Sequence, residues 1–209
     1  MKSQQAYESL LRGIASFQAE AYPARREAFA ALAHQQEPLA LFITCSDSRI
    51  VPSLITQTGP GELFVERNPG NLIPRCGDLP GVSCSVEFAM LVLKVPLIII
   101  CGHSDCGAMK ALLHAETAEN LPEVKQWMRH AAAAHDRLKR EAANVADDEK
   151  LLRLTEFNVR AQIENLKTHP SVQSRLAAGE VEIHGWVYDV GSGSIAALDA
   201  KTGRFAAVG

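Results

Sequence analysis

The chain sets short, dense apolar runs between longer stretches in which apolar residues recur every three or four positions. Leu39–Thr44 and Val95–Ile100 are almost wholly apolar, as strands buried on both faces of a parallel sheet should be. Glu62–Glu66 reads as a further strand. Val181–Val190 alternates and then becomes denser, and Gly191-Ser192-Gly193 turns it toward a hairpin partner at Ser194–Asp199. Helical spacing predicts helices over Ile50–Thr56, Val82–Leu93, Cys106–His114, Pro122 to about Glu141, about Leu151–Leu166 and Pro170–Gly179. The acidic Asp147-Asp148-Glu149 suits a helix start. Residues 4 to about 34 are helical in character, interrupted at Pro23.

This order of elements predicts a single α/β domain. Its mainly parallel four-stranded sheet is flanked by helices and carries an antiparallel edge strand. Residues 1–34 make an N-terminal helical arm and 35–209 the α/β core. The arm's large apolar residues, Leu10, Leu11, Ile14, Phe17 and Tyr22, are too few for a core of their own. The arm is therefore expected to lie across another surface, of its own sheet or of a partner subunit.

Composition changes this picture little. With 209 residues, 47% of them hydrophobic and 22% charged, the chain suits one globular domain. A net charge of -3 gives no reason to expect nucleic-acid binding. No apolar run approaches the ~20 residues that span a bilayer, and Met1-Lys2-Ser3-Gln4-Gln5 lacks the apolar core of an export signal. A cytoplasmic protein without a membrane span is expected.

Cysteine placement changes it more. Five cysteines are an odd number in a chain without an export signal, which favours metal or nucleophilic use over disulfides. Cys45 closes the first buried strand, and His103-Ser104-Asp105-Cys106 closes the second. Strand ends of an open α/β sheet are where ligands gather, and thiolate with imidazole suits tetrahedral zinc. Three such ligands leave one coordination position free. Asp47 and Arg49 follow Cys45 at alternate positions, so an arginine-paired carboxylate is expected to face that position. Cys76, Cys84 and Cys101 read as core or loop thiols, and His114, His130, His135, His169 and His184 as surface or packing residues.

Cys45-Ser46-Asp47-Ser48-Arg49 with His103-Ser104-Asp105-Cys106-Gly107 resembles the paired signature of the β-class carbonic anhydrases, and most nearly the bacterial members that group with the plant-type enzymes. The likeness extends to Arg67-Asn68-x-x-Asn71, Glu87 and His184–Asp189. It implies one zinc per chain on Cys45, His103 and Cys106, with Asp47 and Arg49 as a catalytic dyad. It implies Gln36 and the Gly107 N–H as donors to substrate, and Phe64 and Phe88 as pocket aromatics that cross a subunit interface. The implied activity is reversible hydration of carbon dioxide to bicarbonate and a proton by a zinc-bound hydroxide. The implied assembly is a homodimer that builds a tetramer or octamer. Pro69 and Phe88 depart from the commonest family residues. Phe42 stands where a bicarbonate-regulated subset has tryptophan, so an open site with Asp47 on Arg49 is expected. A carbon disulfide or carbonyl sulfide hydrolase on the same fold is one rival reading. A non-catalytic thiolate–zinc protein, structural or redox-sensing, is another.

Overall fold

The computed structural model of the chain describes residues 1–78, 80–142 and 144–208. The chain divides into two compact units, Met1–Glu37 and Pro38–Gly209. In the first, α1 (Lys2–Ser16) runs into a π-helical turn at Phe17–Ala21. A 3-10 turn at Pro23–Arg25 follows, then α2 (Arg26–Leu32). Pro23 thus breaks the helix where its missing N–H and fixed φ require. The rings of Phe17, Tyr22 and Phe29 gather across that break at centroid separations of 5.3 to 6.1 Å. Tyr7, Leu10, Leu11 and Ile14 are exposed on α1.

The second unit is built on a sheet of β1 (Ala40–Cys45), β2 (Leu63–Asn68), β3 (Leu97–His103), β4 (Glu182–Tyr188), β5 (Ile195–Leu198) and β6 (Phe205–Ala207). The spatial order is β2-β1-β3-β4-β5-β6. The first four strands in that order are parallel, and β5 and β6 add antiparallel. The predicted four parallel strands and antiparallel partner are present; β6 is an addition, too short to register as a pattern. All six residues of β1 are buried, as its unbroken apolar run requires.

From β1 the chain passes to β2 on one side, then returns across β1 to β3 on the other. The strand order therefore reverses between β1 and β3, opening a crevice at their carboxyl ends. In register, Thr44 lies beside Cys101, so the ends of the two strands come level.

The helices are α3 (Pro52–Thr56), α4 (Pro80–Glu87), α5 (Gly107–Leu113), α6 (Pro122–Met128), α7 (Ala132–Glu141), α8 (Asp147–Leu166) and α9 (Pro170–Ala177). One sheet face packs Leu41, Ile43, Ile98 and Ile100 against Val86, Met90, Val159, Ile163 and Val172 from α4 to α9. On the other face lie Ala40, Phe42, Ile99 and Cys101, with Trp186 and Tyr188 beside them. A third cluster joins Cys45 and Cys106 to Leu72, Met109, Met128 and Leu154 under α5 to α8.

α8 approaches the sheet closely because β3 and β4 offer glycines beneath it. A Cβ on Gly102 would meet Thr155 and Val159 at 3.0 Å, and one on Gly185 would meet Val159 at 2.7 Å. The helix predicted from Pro122 to Glu141 is broken at Arg129–Ala131 by a 3-10 turn. There the carbonyl of His130 accepts a bond from the Gln162 side chain at 3.0 Å, and Ala131 leaves helical geometry. Among the described residues no helix is long and apolar enough to cross a membrane.

Candidate metal centre

Three ligating atoms converge in the crevice between β1 and β3. Cys45 is the last residue of β1, His103 the last of β3, and Cys106 the residue before α5. The two sulfurs are 4.0 Å apart. With a ring nitrogen of His103 they all lie within 4.8 Å of one another, and all three side chains are buried.

The turn between the histidine and the second thiol is short and shaped. Asp105 takes a left-handed φ of 58°, a conformation that a short polar residue tolerates better than most. Its carboxylate accepts from Arg49 Nη1 at 3.0 Å and pairs with Lys110 Nζ. Its backbone carbonyl accepts from Arg49 Nη2 at 3.1 Å. Ser104 is pinned by its own N–H on the Tyr188 carbonyl (2.9 Å) and by its hydroxyl, which accepts from the Val190 N–H (2.9 Å).

His103 donates Nδ1–H to the Ser104 carbonyl at 2.9 Å. A carbonyl only accepts, so the proton sits on Nδ1 and Nε2 keeps its lone pair. Nε2 is buried and has no hydrogen-bond partner, an arrangement that an ordinary packing histidine avoids. The donor set fits a zinc ion. Two sulfurs bound tetrahedrally to one zinc lie about 3.8 Å apart, close to the spacing seen here, and the orphaned nitrogen is the third donor.

The sulfur of Cys45 also accepts the Gly70 N–H at 3.3 Å. Its thiol is held well below the ordinary range, first by the Cys106 S–H donated to it and then by backbone N–H groups, Gly70's among them, against the effect of burial. Cys106, the donor of that shared proton, is pushed up by Cys45 and by burial.

Asp47 lies beside this set, with Oδ2 at 3.9 Å from His103 Nε2. Arg49 donates Nε–H to Oδ1 at 2.9 Å and Nη2–H to Oδ2 at 2.8 Å, and its backbone N–H adds a bond to Oδ1 at 2.9 Å. Oδ2, with one partner, is the oxygen turned toward the ring nitrogen. These bonds hold the Asp47 carboxyl well below the usual carboxylate range, Arg49's side chain first and its backbone N–H after it, against the effect of burial. Arg67 fixes the segment from behind, donating to the carbonyls of Cys45 (3.2 Å) and Asp47 (2.7 Å).

The other predicted site residues are more dispersed. Gly107 opens α5 directly after Cys106, and a Cβ there would meet nothing within 4 Å. Gln36 belongs to the first unit and is exposed. Phe64 and Phe88 stand together, centroids 5.8 Å apart. Phe64 is in register with Leu41, four residues before Cys45, or about 13 Å back along the strand. Cys101 stays outside the ligand group and packs with Phe42 and Ile99; burial pushes its thiol up to about 12. Cys76 and Cys84 are exposed and free. The sequence reading missed the parts played by Gly70, Asp105 and Lys110. It also missed Asn158, Gln162 and Asn165, polar residues at helical spacing within an otherwise apolar stripe.

Residues 40–195 match the family described as carbonic anhydrase. A carbonic anhydrase of Pseudomonas aeruginosa is 49% identical over 197 residues, covering 94% of this chain and 89% of that protein. Among solved structures, the β-carbonic anhydrase CcaA superposes with a TM-score of 0.95 at 37% identity, covering 98% of this chain and 93% of its own. A tetrameric β-carbonic anhydrase from Sordaria macrospora superposes with a TM-score of 0.85 at 27% identity, covering 94% and 98%.

Proposed function

The chain belongs to the β-class carbonic anhydrases, and from that membership we propose that it catalyses the reversible hydration of carbon dioxide to bicarbonate and a proton, with one zinc ion per chain held by Cys45, His103 and Cys106. One observation carries the reading: two buried sulfurs and an unpartnered imidazole nitrogen converge within 4.8 Å beside an Asp–Arg pair. Held by Cys45, His103 and Cys106, a zinc ion would supply the Lewis acidity that makes hydroxide available as a nucleophile near neutral pH. Three protein ligands is the number found at catalytic zinc sites, whereas structural sites use four.

The chain's own residues do the rest. Asp47 stays ionised under Arg49, so Oδ2 accepts a hydrogen bond from the nucleophile and directs its lone pair at the substrate carbon. Arg49 keeps that carboxylate from turning away. The Gly107 N–H and Gln36 are the donors assigned to the oxygens of bicarbonate, and the proton leaves to solvent.

Phe64, set back along the sheet from Cys45, and Phe88 beside it act in this reading on the site of a partner copy. The assembly proposed is a homodimer that builds a tetramer or octamer, and the exposed apolar face of α1 suits it. The same reading puts the enzyme in the cytoplasm, which cell fractionation tests.

Stopped-flow hydration of carbon dioxide, run beside metal analysis, tests the activity. One zinc per chain and rapid turnover are expected, and Cys106→Ala should lose both together. A folded, zinc-loaded chain that left hydration at the uncatalysed rate would sink the proposal.

A further inference from the structure

α8 presents the amides of Asn158, Gln162 and Asn165 to the loop that follows β2. Asn158 and Gln162 are completely buried. Asn158 Nδ2 donates to the Gly70 carbonyl at 3.0 Å. Gln162 Nε2 donates to Asn158 Oδ1 at 2.9 Å and to the His130 carbonyl at 3.0 Å. Gln162 Oε1 accepts the Ile73 N–H at 2.7 Å, and Asn165 Nδ2 donates to the Ile73 carbonyl at 2.9 Å.

Each bond in this series fixes the next. Because Asn158 turns its oxygen to Gln162, its amide nitrogen must face Gly70. Across the Gly70 Cα, the N–H of the preceding Pro69–Gly70 peptide donates to the Cys45 sulfur at 3.3 Å, while that peptide's carbonyl accepts from Trp127 Nε1 at 2.8 Å. Gly70 has no room to be replaced or displaced: its φ is +77°, and a Cβ would meet Ala108 at 3.0 Å and Met109 at 3.2 Å. Apolar side chains would hold a loop against α8 with less desolvation. A satisfied amide series adds direction, and the direction it sets ends on a ligand sulfur.

We propose that Asn158 and Gln162 are positioning residues for the metal centre: by holding the Gly70 carbonyl they fix one side of the Gly70 Cα, and with it the adjoining Pro69–Gly70 peptide, so that the Gly70 N–H stays on the Cys45 sulfur, and through that bond they set how firmly the sulfur holds a divalent ion. The inference rests on the metal site proposed above. A hydrogen bond draws charge from a thiolate and fixes its direction, and loss of such outer support weakens metal binding by about 10- to 100-fold.

The test uses the full chain loaded with cadmium-113, because an N–H···S–Cd bond transmits scalar coupling from the amide proton to the metal. In the unmodified protein the Gly70 amide proton should couple to cadmium. In Asn158→Ala that coupling should fall or vanish, with zinc dissociation raised about 10- to 100-fold. Gln162→Met, which removes the donor to Asn158 while keeping length, is the second arm if Asn158→Ala does not fold. Val172→Ala, buried in the core cluster that excludes both ligand sulfurs, should leave the coupling unchanged. Couplings from the β-protons of Cys45 and Cys106 report the site itself, and their absence would fail the metal-site reading. If they are present, three results overturn the positioning role alone. These are no Gly70 coupling in the unmodified protein, an unchanged coupling in the amide variants, or an equal loss in Val172→Ala.

Discussion

Arg49 grips Asp47 through two parallel bonds, Nε to Oδ1 at 2.9 Å and Nη2 to Oδ2 at 2.8 Å. The same guanidinium reaches Asp105 with Nη1 at 3.0 Å. One arginine thereby ties the carboxylate beside the ligands to the turn that spaces two of them. A forked cation is needed for that double task, and a lysine ammonium cannot reproduce it.

Asp47→Asn should keep zinc and lose about 10²-fold or more in kcat/KM, the usual scale for a general acid–base group. Arg49→Lys should fall between that variant and the unmodified enzyme. Stopped-flow rates with zinc content measured on the same samples check both. An Asp47→Asn enzyme at full rate would remove the dyad from the mechanism.

The Arg49 bonds also predict a pH response. Asp47's folded-state pKa lies below its unfolded value, so its ionisation contributes stability above about pH 3.9. That contribution is lost as pH falls through the lower, folded-state value. In Arg49→Gln the Asp47 midpoint should rise toward the ordinary carboxylate value. Carboxyl-carbon NMR of both proteins follows the change, and an unmoved midpoint would rule Arg49 out as its cause.

Thiol chemistry should divide the five cysteines into three groups. In the zinc-loaded protein, Cys76 and Cys84 are exposed and should take up an alkylating agent. Cys101 should resist it, since burial pushes its thiol up to about 12 and little thiolate forms near neutral pH. Cys45, whose thiol is held low, should join the reactive set only after a chelator removes the metal, while Cys106, pushed up by Cys45 and by burial, should resist as Cys101 does. Mass spectrometry of peptides before and after chelation reads the pattern directly.

Two glycines should respond oppositely to an added methyl. Gly185→Ala drives a Cβ to 2.7 Å from Val159 and 3.1 Å from Ile163, in a packed core where overpacking costs about 1–3 kcal/mol. Gly107→Ala meets open space and should leave the denaturation midpoint nearly unchanged. Urea unfolding of the two variants side by side makes the comparison.

Much of this architecture was legible along the chain. The apolar runs at Leu39–Thr44 and Val95–Ile100 located β1 and β3, because strands buried on both faces leave little room for polar residues. Cys45, His103 and Cys106 stood out because thiols and imidazole at strand ends are chemically unusual. The Asn158–Gln162 series did not stand out. It depends on how α8 meets a loop 88 and 89 residues away, and no local pattern fixes that meeting. The break at Arg129–Ala131 was hidden for the same reason, since it coincides with a carbonyl that accepts from the distant Gln162. Phe64 read as a residue of the pocket, yet only strand register shows that it sits level with Leu41 rather than with Cys45.

The left-handed turn at Asp105 bears on the order in which the centre is made. Its φ of 58° is disfavoured in a free chain, and one of its anchors, Arg49, arrives from 56 residues away. Cys45 lies 61 residues from Cys106. The hook between His103 and Cys106 is therefore expected to take its shape only once β1 and β3 have paired. Small zinc modules fold around their ion; a hook built from groups this far apart in sequence is expected to need the sheet first, with metal capture following. Stripping the metal should accordingly leave the sheet standing, ready to be loaded again.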